Sequence, residues 1–305
     1  MGMKGFKGFE KDFSCRGKQY EENTTYEEHG VGCCHKGVMH FCEDPWEVLN
    51  HYDLVDGNGN FSEFAEVEAL GQVWNDGEKR ATNKIHVGAK LGLKGFLKAC
   101  IDCTLEKTEY ESNGTNLPGN SAQIGSSGYS AQIGSSGNSA KIGSSGNSAQ
   151  IGSSGNSAKI GSSGNYAKIS SSGYYAKIGS SGDYAQIGSS GDSAQIGSSG
   201  NYAKIGSSGY YAKIGSSGDY AQIGSSGNSA QINSTGEDAV IMCAGSRSKA
   251  KGKKGSWITL TEWVKDEEKG RYVPICVKTE RVDGEKIKEN TYYTLKNGEF
   301  VEVQE

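Results

Sequence analysis

The sequence predicts a mainly β protein built around a parallel β-solenoid, and two observations carry that expectation. Thirteen copies of one nine-residue unit run without a break from Asn120 to Gly236, and Ile stands at position five and Ala at position three of every copy. The first copy reads Asn120-Ser-Ala-Gln-Ile-Gly-Ser-Ser-Gly128, and later copies vary almost only at their first, second and fourth positions. A unit this short cannot bury its own apolar face, so neighbouring copies must stack to make a continuous core. A flexible glycine-serine linker has no reason to keep Ile124, Ile133, Ile142 and their successors in strict register.

Within a unit, Ser-Ala-Gln-Ile alternates with period two, which turns Ala and Ile inward and positions two and four outward. Gly at positions six and nine, with two serines between, is expected to supply the corners. One unit is then a strand and a turn, and two units make an 18-residue coil with two strands facing each other. Read at that period, even-numbered units place Tyr166, Tyr184, Tyr202 and Tyr220 one above another at position two. Odd-numbered units place Lys141, Lys159, Lys177 and, after Gln195, Lys213 at position four. These eight residues form the candidate binding face. At ~4.8 Å per coil the repeats span roughly 30 Å. Burying one Ile contributes ~1.5–3 kcal/mol, whereas fixing each backbone residue costs ~1–2 kcal/mol, so hydrogen-bond ladders, stacked serine hydroxyls and end caps must supply the difference.

The solenoid is assigned to residues 111–256, since Ala239, Ile241 and the alternation at 249–252 continue the pattern past the last clear repeat. Residues 257–305 read as a small antiparallel β module that caps the rod, with hairpin turns at Asp283-Gly284 and Asn297-Gly298. Arg247, Lys249, Lys251, Lys253 and Lys254 read as a solvated edge that discourages end-to-end pairing.

Residues 1–110 have ordinary globular composition and read as an α+β module. Asp44 is placed to cap a helix that Pro45 begins and that ends near Tyr52. Residues 64–69 alternate as a strand, and 89–103 read as a helix or a strand pair. His29, Cys33, Cys34, His35, His40 and Cys42 crowd together, and Cys100 and Cys103 have a zinc-knuckle spacing. They lack a second clean pair, so buried thiols are the expected reading and no metal is assigned. Asp56-Gly-Asn58-Gly-Asn60 starts like a calcium loop, but Phe61 and Val67 stand where that loop needs Gly and Glu, leaving a turn.

Net charge of −4 gives no push toward nucleic acid, and no run of 18 apolar residues is present to span a bilayer. The first ten residues carry neither an apolar signal core nor a myristoylation pattern, and the eight cysteines then read as cytosolic thiols.

Lys4-Gly-Phe6, Cys15-Arg16-Gly17-Lys-Gln-Tyr20, residues 37–42 and Pro45-Trp46-Glu47-Val48-Leu49 resemble an uncharacterised domain common in bacteriophages and prophages, which is often joined to glycine-serine repeats. The resemblance implies a phage origin and an accessory role in the host cytoplasm. A weaker one, resting on Arg16 and on Glu66 and Glu68, is to ADP-ribosyltransferase-type folds. It implies Arg16 on a nicotinamide dinucleotide and a glutamate at the developing ribose charge, although no Ser-Thr-Ser segment precedes the glutamates. The expected function is therefore non-enzymatic: a binding protein, without cofactor, whose rod displays a surface to a host protein such as a defence component. A homo-oligomer is a second candidate partner; a transferase-like modifier and a phage structural part or adhesin are the alternatives.

Overall fold

The computed structural model describes residues 2–33, 37–108, 115–117 and 119–303. Positions four to seven of each repeat form a four-residue strand, the first being Gln123–Ser126. Each strand pairs in parallel with the strand 18 residues further on, as in Gln123↔Lys141 and Ile124↔Ile142. Two parallel sheets result, one of odd-numbered and one of even-numbered units. They enclose the stacked Ile and Ala side chains, with Ile160, Ile178, every position-three Ala from Ala140 to Ala239, and Ala250 fully buried. The 18-residue coil and the placing of Ala and Ile inside agree with the sequence.

The corners are built differently from the expectation. Position two, Ser or Tyr, takes the left-handed conformation in every repeat, with φ between 56° and 58°. Gly at position nine serves close approach instead: a Cβ there would lie 1.9–2.1 Å from the carbonyl oxygen of the glycine 18 residues earlier. Position one locks successive corners together. Asn147 Oδ1 accepts from Asn165 N at 2.9 Å, Asn165 from Asp183 at 2.8 Å, Asp183 from Asn201 at 2.8 Å and Asn201 from Asp219 at 2.9 Å. The inward serines at position seven do not provide the expected ladder. From Ser144 to Ser234 their hydroxyls are buried and find no partner among the described residues.

Both sheets extend beyond the repeats. Thr115–Leu117 begins the even sheet by pairing with Gln132–Ser135. At the other end Trp257–Asp266 pairs in parallel with Val240–Cys243 and then antiparallel with Arg271–Arg281. Tyr292–Lys296 closes the odd sheet and pairs with Glu299–Val303. Asn297 and Gly298 both have positive φ, as their hairpin requires. Asp283-Gly284 is a turn but joins no hairpin; it lies in the crossover between the sheets, where Asp283 Oδ1 accepts from Glu285 N and Ile287 N. The basic run is partly covered rather than solvated. Lys249 and Lys251 lie 4.4 and 4.6 Å from the Tyr292 ring centre, and Lys253 pairs with Glu237 at 2.9 Å.

In the N-terminal module, an antiparallel sheet runs in the order Met3–Phe9, Glu63–Ala69, Lys84–Lys90, Thr24–Glu27. A second sheet joins Met39–Phe41, Lys79–Thr82 and Val73–Asp76. Asp44 caps the expected helix, which is only Pro45–Val48 before turns carry on to Tyr52. The 89–103 segment is resolved as the helix Gly92–Lys107.

Candidate functional site

The odd sheet is the seat of the N-terminal module. Glycine at position six leaves a channel along that sheet, and side chains of the module fill it. A Cβ on Gly143 would sit 3.2 Å from the Ile101 backbone, one on Gly161 3.1 Å from the Trp46 ring, and one on Gly197 3.0 Å from Phe61. Position four runs beside the channel. There Lys141 pairs with Asp44 at 3.1 Å and with Glu47, while Lys159 donates to the Trp46 carbonyl at 2.8 Å. Lys177 donates to the Leu49 carbonyl at 2.5 Å, Gln195 Oε1 accepts from Leu54 N at 2.8 Å, and Lys213 pairs with Asp53 at 3.1 Å.

The four lysines of the candidate binding face thus engage the chain's own first module. Lys141 and Lys159 are buried and Lys177 and Lys213 half-buried, so this column is not open to another protein. Burial pulls the Lys159 ammonium down to about 8, with Glu47 opposing. Burial also lowers Lys177 against the pull of Asp53. It acts on Lys141 as well, but hydrogen bonding to Glu47 and the charge of Asp44 more than offset it, and that ammonium is raised. Burial opposes ionisation of Asp44 and Asp53, yet Lys107 and Lys141 on one, and Gln195, Lys213 and Lys177 on the other, hold both carboxyls below the usual range.

The even sheet carries the same pattern with no module seated on it among the described residues. A Cβ on Gly188, Gly206 or Gly224 would meet no atom within 4 Å, and Gln150, Lys168, Gln186, Lys204 and Gln222 are exposed beside them. At its C-terminal end Val240, Met242, Trp257 and Val277 are exposed on neighbouring strands.

Tyrosines border this open sheet on both edges. Tyr166, Tyr184, Tyr202 and Tyr220 stand where each coil enters an even strand, their ring centres 4.9–5.0 Å apart and their planes within 4–11°. They are 43–56% exposed. A bulky residue at positive φ is disfavoured, and stacking repays part of that cost. Tyr174-Tyr175 and Tyr210-Tyr211, at the opposite edge, are exposed as well, Tyr175 and Tyr211 more than any tyrosine of the stack. The sequence reading passed over them because they belong to odd units and recur only after 36 residues, but their place at positions one and two was the available signal.

The transferase residues do not converge. Arg16 lines a cavity in the N-terminal module, whereas Glu66 and Glu68 are not among its walls. They alternate with Ala65, Val67 and Ala69, whose side chains join Phe9, Tyr20 and Met39 in the core; Glu66 is exposed and Glu68 accepts from Gly2 N at 3.0 Å. Of the His/Cys cluster, Cys34 and His35 lie outside the described residues. His40 Nε2 bonds the Cys33 carbonyl at 2.6 Å and Cys33 Sγ donates to the Asn75 carbonyl at 2.9 Å. Among the described residues no three His, Cys, Asp or Glu are grouped to hold a metal ion. Asp56 Oδ1 accepts from Asn58 N and Asn60 N, so that fragment is a turn. Among the described residues no helix is long and apolar enough to cross a membrane.

Residues 3–99 match a family described as a domain of unknown function (DUF7666). No curated protein and no solved structure matches the chain.

Proposed function

We propose that the protein is a phage-encoded, non-enzymatic binding protein that works in the host cytoplasm by engaging a host protein, such as a defence component, through the edge and open sheet of its rod. One observation carries the reading: the Tyr166–Tyr184–Tyr202–Tyr220 stack, held in register and half-exposed at backbone positions that penalise bulky side chains. Stacked tyrosines give a rigid amphipathic surface whose ordering is already achieved before binding, the kind of anchor found at the centre of protein interfaces. The docked module leaves the even sheet as the free side of the rod. The phage setting rests on the resemblance of the N-terminal segments alone.

The test replaces all four tyrosines with Ser, the residue already present at that position in Ser130 and Ser148. The quadruple variant is expected to keep its thermal midpoint and to lose the partner that the unaltered protein captures from host lysate. Capture of the same partner at the same strength, with the same native mass, overturns the proposal. A change of native mass alone would identify the stripe as a contact between copies of this chain.

A further inference from the structure

The N-terminal module encloses a cavity of about 430 Å³, a size suited to a small organic molecule. Lys7, Cys15, Arg16, Tyr20, His40 and Tyr52 are among its walls. Lys7 is only 4% exposed. Its Nζ lies 3.3 Å from Cys15 Sγ and 3.1 Å from the His40 carbonyl, and 5.4 and 5.5 Å from the Phe9 and Tyr20 ring centres. Cys15 Sγ is in turn 2.7 Å from the Tyr52 hydroxyl. Among the described residues no carboxylate pairs with Lys7. Glu28, the carboxylate among the described walls, is taken by Lys18, and Lys79 is paired with Asp76 at 3.3 Å.

Arg16 gives a second, independent observation. The strands Ser14–Cys15 and Lys18–Gln19 are joined by Arg16 at φ 52° and Gly17 at φ 78°. Two successive left-handed residues make the turn that Asn-Gly fits best, so an arginine at its first position carries backbone strain. It has no ion pair among the described residues. A buried ammonium without a counter-charge is costly, and a guanidinium held at a cavity mouth in a strained turn is suited to a forked contact with an acid group.

We propose that this cavity binds a small organic acid, its carboxylate or phosphate between Lys7 and Arg16 and its apolar body against Tyr20, Met39 and Phe41. Such an anion supplies the counter-charge that Lys7 lacks, and burial has already pulled that ammonium down. The site is independent of the rod and of its partner.

Cys15 reports on the cavity without knowledge of the natural ligand. The full chain is alkylated with iodoacetate and, separately, with iodoacetamide, and the rates at Cys15 are compared with those at the half-buried Cys103 and Cys276 by peptide mass. A cationic cavity should raise the iodoacetate-to-iodoacetamide ratio at Cys15 about tenfold over the other two sites, and salt should lower it. Arg16→Asn should bring the ratio down about tenfold while the thermal midpoint stays or rises, because Asn suits the turn better. Phenyl phosphate or benzoate should protect Cys15 where benzamide does not, and the better protector identifies the acid group. An equal ratio at all three cysteines, no change in Arg16→Asn, no reaction at Cys15 with either reagent, or protection by benzamide as strong as by the acids would each overturn the proposal.

Discussion

The two sheets of the rod are written in one nine-residue unit, yet one is covered and the other is open. Their cores are alike, with the Ile column buried on both. The difference lies in the outward positions. On the odd side, Gly stands at position six of every repeat until Asn233, and three lysines follow one another at position four. On the even side Ser170 and Met242 interrupt the glycines, and Gln holds most of position four. An unbroken glycine channel beside a lysine file therefore marks a seat for an acidic, apolar module of the same chain. The file was legible in the sequence, but as a display surface for another protein.

If that is the distinction, removing one lysine from each sheet should have unequal effects. Lys141→Ser leaves Asp44 and Glu47 without their shared partner in a largely buried site, and about 3 kcal/mol of stability should be lost. Lys168→Ser, on the open sheet, should stay within about 0.5 kcal/mol. Denaturant unfolding followed by both tryptophan emission and circular dichroism checks this, and equal losses would break the comparison.

Position six allows a smaller, steric version. Gly143→Leu drives a side chain into the backbone of the helix Gly92–Lys107, which should cost about 1–3 kcal/mol and expose the module to limited proteolysis. Gly206→Leu has open space above it and should leave unfolding and digestion nearly unchanged. Ser170 and Met242 show that the even sheet already accepts side chains there.

The coil length, the parallel register and the inward residues were all legible because strict repetition fixes them: any other register would break the Ile column. The corners were not, since positive φ at position two is carried by Ser or Tyr, and neither residue announces it. The Asn and Asp ladder at position one was equally hidden, because its acceptor and donor are 18 residues apart. The seat of the module was beyond reach for another reason. Asp44, Glu47 and Asp53 sit in a short helix and its following turns, without a period that could be matched to the lysines. Asp44 caps its helix as the sequence predicts, but its other oxygen also pairs with Lys107 and Lys141.

The smallest expected effect is on pH dependence, and it too separates the sheets. Lys159 has its folded value near 8 and its ordinary value at 10.5, so between these the unfolded chain holds a proton that the folded chain has released. Stability then rises with pH, from about 8 upward, at no more than about 1.4 kcal/mol per pH unit for this one group. Lys177 and Lys7, also lowered by burial, act in the same direction. Above the ordinary thiol value of 9.0 the sign reverses. Cys42 and Cys243 are pushed up to about 12 by burial, so there the folded chain keeps protons that the unfolded chain loses. The clean window is therefore pH 7.5–9, set by ~8 for Lys159 and ~9 for the thiols. Across it the thermal midpoint of the unaltered protein should climb. Lys159→Met should flatten part of that climb, while Lys168→Met should leave it intact, since Lys168 is exposed on the open sheet. A climb that survives unchanged in Lys159→Met would mean that its ammonium reaches water in the folded state, and that the module sits less tightly on the odd sheet than its contacts with Trp46 and Glu47 require.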